Sequence, residues 1–207
     1  MRKTLFSGIA ACLLATAATA AEQSPSVIWT VGQADRSASE FALAPDRFRD
    51  FLANDFGYED KYFLVGHSVP AADFPYVLPG PADTWGGTWP TSGWRTHQVN
   101  ILFGLKEIPS DGTCTLVVDL LDYAKNFLPL VKVSVNTQDA KFQLDAPGLS
   151  VADQRKPNQM EKIVDTLSIT GNLAKATPRR LEIPIRPGVL KAGGNEVTIT
   201  VLEGSWI

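Results

Sequence analysis

Between Gly80 and Gln98 the chain reads GPADTWGGTWPTSGWRTHQ, with Trp85, Trp89 and Trp94 spaced by four and five residues. An indole is a flat apolar platform with one N–H at its edge. That shape meets the C–H face of a sugar ring while the edge donates to a hydroxyl. Gly86, Gly87, Pro90 and Gly93 break any regular element here, so the segment is expected to be a loop. Several indoles on one loop can line one cleft. Asp83, Arg95, His97 and Gln98 flank them and bring the donors and acceptors that hydroxyl groups need. The expected sugar-contacting residues are therefore Trp85, Trp89, Trp94 and Arg95, with Asp83 and His97 as polar helpers. A competing account has the indoles capping a core beneath a long loop. Trp29 and Trp206 sit in strand-like contexts and are assigned to the core.

Catalytic patterns are weaker. β-Elimination from a uronate needs a base for the C5 proton and a cation or donor for the carboxylate. Lys61, His67, Arg95 and His97 supply those types. The Gln-(Ile/Val)-His strand and the Tyr-Phe-Lys motif of jelly-roll alginate lyases are both missing. Acids are plentiful, but no pattern selects the facing pair that a glycoside hydrolase uses. No Gly-x-Ser-x-Gly, P-loop or dinucleotide fingerprint occurs. His67 and His97 are the only histidines and lack metal-binding spacing, so they read as surface or structural residues. No metal or cofactor is expected from the motifs. Asp35 and Glu40 leave one question open, because they could help hold a structural calcium or simply cap a turn. Cys114 in TCTLVVDLL reads as a small buried hydrophobe.

Residues 1–20 read as an address. Arg2 and Lys3 precede an apolar run, and Ala18-Thr19-Ala20 fits a signal-peptidase site, so cleavage is expected after Ala20. Ile9-Ala10-Ala11-Cys12 resembles a lipobox, but the apolar run ahead of Cys12 is short, which disfavours an outer-membrane lipoprotein. The run is also too short for a membrane span. Loss of Arg2 and Lys3 would take the net charge from −3 to −5. With no basic run, nucleic acid is not an expected partner. Only one cysteine would survive cleavage, so no internal disulfide can form. Secretion or a periplasmic location follows, with residues 21–207 as one domain.

The elements that must position the tryptophan segment are strands. Period-two apolar runs occur at 26–32, 61–67, 97–105, 113–123, 130–136, 140–146, 179–186 and 195–204, separated by Gly, Pro, Asn and Asp. The run at 113–123 is the most uniformly apolar and is expected at the centre of a sheet. Pro184 marks its own strand as an edge or a bulge. Helical patterns appear at 44–57 and at 158–169, the second ambiguous with a strand. Pro187 and Gly188 break a strand, VLKAG forms a hook, and GGN launches the last strand. No βαβ alternation appears, so a parallel sheet is not expected. The expected fold class is an all-β sandwich with one or two short helices.

IWTVGQADRSASEF (28–41), with Trp29, Gly32, Asp35, Glu40 and Phe41, resembles the opening of a β-sandwich module of rhamnogalacturonan lyases in polysaccharide lyase family 4. LEIPIRPGVLKAGGNEVTITVLEGSW (181–206) resembles its final hairpin, and more broadly the galactose-binding-like jelly rolls. The strands VNILFGL and TCTLVVDLLDY fit as well; roughly 42–96 and 145–178 do not align. The resemblance implies a carbohydrate-binding-like domain, non-catalytic or accessory, within a pectin-degrading system. Its ligand would be a plant cell-wall polysaccharide or oligosaccharide, and its partner a catalytic domain or partner chain. A small polysaccharide lyase and a ligand-free structural domain are the alternatives. In that family another strand usually follows the position of Trp206-Ile207. The last strand here is therefore expected to carry an open edge, and truncation at the C-terminal end stays open.

Overall fold

The structure, a computed structural model, describes residues 26–43, 47, 50, 60–83, 97–109, 113–125, 127–145 and 176–207. Arg47 and Asp50 apart, the helical patterns at 44–57 and 158–169 lie outside them. The signal segment lies outside them too.

Among the described residues, seven strands form two sheets. They are β1 (Lys61–Leu64), β2 (Gln98–Leu105), β3 (Thr115–Leu120), β4 (Leu130–Val135), β5 (Gln138–Gln143), β6 (Arg179–Pro184) and β7 (Gly193–Glu203). One sheet runs β1-β2-β7-β4-β5 and the other pairs β3 with β6. Period-two patterning explains which faces meet. Val99, Ile101 and Phe103 of β2, Val131, Val133 and Val135 of β4, and Val197, Ile199 and Val201 of β7 all turn inward and are buried. Leu181 and Ile183 of β6 close over them, with Leu116 and Val118 of β3 packed alongside. Each such side chain contributes about 1.5–3 kcal/mol when fully buried. The molecule is an all-β sandwich, as its pattern predicts.

Several elements differ from expectation. Residues 26–32 form no strand. They run irregularly, with the Trp29 ring packed against that of Phe103, centroids 5.2 Å apart and planes tilted by 54°. β1 stops at Leu64 because Val65–His67 turn, with Gly66 at φ +84°. β1 also pairs parallel to β2, with Lys61 opposite Val99 and Leu64 opposite Leu102. The other pairings of this sheet are antiparallel, so it is not the parallel sheet that the absence of βαβ units argued against, and this one parallel pair is joined by a long connection. β3 is not central. Among the described residues it pairs with β6 alone, and its apolar residues are half-buried. β5 begins two residues early because Asn136 and Thr137 make a tight turn, with Asn136 at φ +48°. One helical turn, α1 (Pro70–Asp73), follows β1, and the Asp73 carboxylate accepts the Val69 N–H at 2.7 Å.

The hook at 187–193 matches its sequence. Gly188 and Gly193 take φ near +82° and +89°, and Val189 and Leu190 plug the core. Gln138, buried on β5, ties the sheets together. Its amide donates to the Pro184 carbonyl at 2.8 Å and accepts the Arg186 N–H at 2.9 Å. β6 pairs with β3 alone among the described residues, which suits Pro184 at its end.

The open edge expected at the C-terminus is not there. Leu78 and Ile207 exchange both backbone hydrogen bonds, at 2.9 and 3.0 Å. On the other side Ser205 N–H donates to the Phe127 carbonyl and Ala124 N–H to the Trp206 carbonyl. Residues 204–207 thus lie between two chain segments, and Trp206 is buried.

Candidate functional site

Trp85, Trp89, Trp94 and Arg95 fall in 84–96, outside the described residues. The structure does place both flanks of that segment, and it fixes them firmly.

On the N-terminal side, Pro79 and Gly80 are buried against the C-terminal tail. A Cβ added at Gly80 would lie 2.4 Å from the Gly204 carbonyl oxygen and 2.6 Å from that of Ser205. Only glycine permits this approach. Gly204 is itself at φ +82°, and a Cβ there would meet the Leu128 carbonyl oxygen at 2.4 Å. The crossing puts the Ala82 N–H on the Gly204 carbonyl at 2.9 Å. It also brings Asp83, 2% exposed, against Ser205. One carboxylate oxygen of Asp83 accepts the Gly80 N–H at 2.8 Å; the other accepts a short hydrogen bond from the Ser205 hydroxyl. The expected polar helper is thus a buried brace at the foot of the segment.

On the C-terminal side, His97 is 1% exposed at the head of β2. The next residue, Gln98, pairs with Thr200 of β7. Both ends of the tryptophan segment therefore return to the stretch Thr200–Ser205. Sequence reading selected Asp83 and His97 from their neighbours, but it missed Gly80, Gly204 and Ser205. Asp83 and Ser205 are 122 residues apart, and no local pattern announces such a contact.

The other candidates are not drawn together. His67 is exposed in the turn after β1, whereas His97 precedes β2. Because β1 and β2 run parallel with Lys61 beside Val99, the two histidines sit at opposite ends of the pair. Asp35 accepts the Ser37 N–H at 2.8 Å, the capping geometry that competed with calcium, and Glu40 accepts the Gln33 N–H at 2.9 Å. Among the described residues no group of three His, Cys, Asp or Glu is placed to hold a metal ion. Cys114 is half-buried against the core.

A family model for the carbohydrate-binding-module-like domain III of polysaccharide lyase family 4 matches residues 27–206. The chain belongs to this family. No curated protein matches the chain. The domain III match runs from the irregular segment around Trp29 to the clasped tail at Trp206, so both sheets and the braced foot of the tryptophan segment fall within it. Among the described residues no helix is long and apolar enough to cross a membrane.

Proposed function

We propose that this domain III module is an exported, non-catalytic carbohydrate-binding or accessory module of a pectin-degrading system, acting on rhamnogalacturonan-type polysaccharide. The family match over residues 27–206 carries this reading. Trp85, Trp89, Trp94 and Arg95 would contact the sugar, and Asp83 and His97 would serve at the foot of their segment. The anchoring of both flanks supports that assignment, since fixed ends restrict the chain between them and so lower the entropy lost on binding. The separation of His67 from His97 supports binding over elimination, because a base and its partner must share one site.

Affinity electrophoresis through gels containing rhamnogalacturonan, homogalacturonan or galactan tests the reading. Retardation of the parent should be lost in Trp89→Ala, whose affinity should fall at least about tenfold, given what one aromatic platform contributes. Equal retardation of both proteins in every gel would sink the assignment of Trp89.

A further inference from the structure

One end of the sandwich gathers residues that neither the core nor sugar binding uses. β2 finishes there at Leu105, opposite Gly193 at the start of β7. The β4–β5 turn and the end of β6 meet at the same end through Gln138. His97 lies at the other end of β2, about 25 Å away for a strand of eight residues.

Four aliphatic side chains stand in solvent at this end. Val27 and Ile28 precede Trp29, whose ring packs on Phe103, two residues from the end of β2. Val69 follows the turn beyond β1, and Ile108 follows β2. They are between 49% and 73% exposed and make up four of the six exposed large apolar residues among the described ones. All four lie on irregular segments and not on a strand face. Exposed apolar residues scattered singly need no account, but a group gathered at one end marks a contact surface.

Three cations stand with them. Lys106 follows β2 directly, and Arg186 and Lys191 flank the hook whose Val189 and Leu190 plug the core. All three are exposed, and among the described residues none is in an ion pair, although the chain carries net charge −3. Glu107 is the acid beside them, and Glu196 lies further down the sheet, opposite Leu102, so the tips keep positive charge in excess. Arg186 is also held in place. The side-chain carbonyl of Gln138, a residue 7% exposed, accepts the Arg186 backbone N–H at 2.9 Å and its Nε–H at 3.2 Å. That leaves the two terminal guanidinium nitrogens as a fork directed away from the Gln138 carbonyl.

We infer that this end of the sandwich docks on an anionic lipid surface. Val27, Ile28, Val69 and Ile108 enter the boundary between headgroups and acyl chains, while the Arg186 fork, Lys106 and Lys191 meet headgroup phosphates. Interfacial binding draws on buried apolar area and on attraction between cations and anionic lipid, and this end supplies both. A guanidinium fork matches phosphate oxygens. Other occupants fit less well. A sugar ring calls for flat aromatic platforms, which aliphatic tips do not offer. A second copy bound through the same end would set its cations against these. A protein partner needs roughly 800 Å² of complementary surface on each side, whereas side chains on separate segments suit a surface that deforms around them.

Vesicle sedimentation tests the inference. The mature parent is compared with Lys106→Gln/Arg186→Gln/Lys191→Gln and with Val69→Ser/Ile108→Ser. One vesicle set holds phosphatidylglycerol and phosphatidylcholine in equal parts, the other phosphatidylcholine alone. The parent should partition at least about tenfold more strongly to the anionic vesicles, and less so as salt rises. Each variant should lose at least about tenfold of that partitioning while melting as the parent does, since every substituted residue is exposed. No sedimentation of the parent, equal partitioning to both vesicle sets, or a triple variant that partitions like the parent would each overturn the inference. So would release of the parent by inorganic phosphate at constant ionic strength, which would leave a site for free anions only. Poly-glutamate bound through the three cations, with vesicles ignored, would assign this end to an acidic protein surface and overturn it too. Vesicle binding by a chain that ignores polysaccharide would uphold the inference and remove the sugar reading instead.

Discussion

Asn195 shows how one side chain can hold a corner of this fold. It is 4% exposed. Its carbonyl oxygen accepts from the Asn136 amide at 2.8 Å and the Lys191 N–H at 3.0 Å, and its amide donates to the Lys191 and Gly193 carbonyls at 2.8 and 3.1 Å. Hook, β4–β5 turn and start of β7 meet on this residue. Asn195→Ala should cost about 2–3 kcal/mol, because the partners stay buried and unmade. That corresponds to about 5–10 °C of melting temperature in a domain of this size. Asn195→Asp should rescue little, since a carboxylate cannot donate to two carbonyls. Tyr123 gives a pH test. It is 1% exposed, and its hydroxyl donates to the Asp145 carbonyl. Burial first, then the Asp145 charge, raises its pKa, and burial raises that of Tyr76 as well. A raised folded pKa contributes stability in full below the unfolded value of about 10, and that stability is lost as pH climbs past it. Tyr123→Phe should melt about 1 kcal/mol lower at neutral pH. Melts between pH 9 and 11 should then fall less steeply for the variant than for the parent, with Tyr76 keeping part of the slope.

The element scale separates what local pattern dictates from what it does not. β2, β4, β6 and β7 were legible because alternation alone names their buried face: Val99, Ile101 and Phe103 are inward wherever the strand sits. β3 was misplaced because a half-buried strand near an edge can be as apolar as a central one. Residues 26–32 have strand composition but no strand partner among the described residues, and Trp29 packs its ring against Phe103 in place of a ladder. The parallel β1–β2 contact has no local signature. The single turn α1 was not expected from the sequence, although Pro70 at its start and Asp73 reaching back to Val69 are local features. Of the candidate site, the tryptophans and their neighbours could be read by residue type, whereas the Gly80–Gly204 crossing joins segments far apart in the chain. The crossing makes a prediction. Gly80→Ala should cost about 2–3 kcal/mol, because its Cβ meets backbone that cannot rotate away. Gly66→Ala, at φ +84° with nothing within 4 Å, should cost only about 1 kcal/mol. Urea melts that rank the two the other way would contradict the crossing.

At the scale of the whole molecule, a sandwich core holds two faces in fixed relation. The tail at Gly204–Ile207 and the foot of the tryptophan segment form one packed unit, so changes at Ser205 should be felt in ligand affinity as well as stability. Ser205→Ala leaves a buried Asp83 oxygen without its hydroxyl donor and should cost about 1–3 kcal/mol. On the proposed reading, this domain III chain holds pectic polysaccharide without cleaving it. The most direct measurement is tryptophan fluorescence of the mature chain during titration with rhamnogalacturonan, homogalacturonan, galactan and alginate oligosaccharides. Absorbance of unsaturated uronates is followed in the same cuvette. A saturable spectral shift with flat absorbance, abolished in Trp89→Ala, is the predicted result. Rising absorbance would show an elimination reaction and contradict the claim, and a flat signal in both channels would leave the three indoles without a ligand.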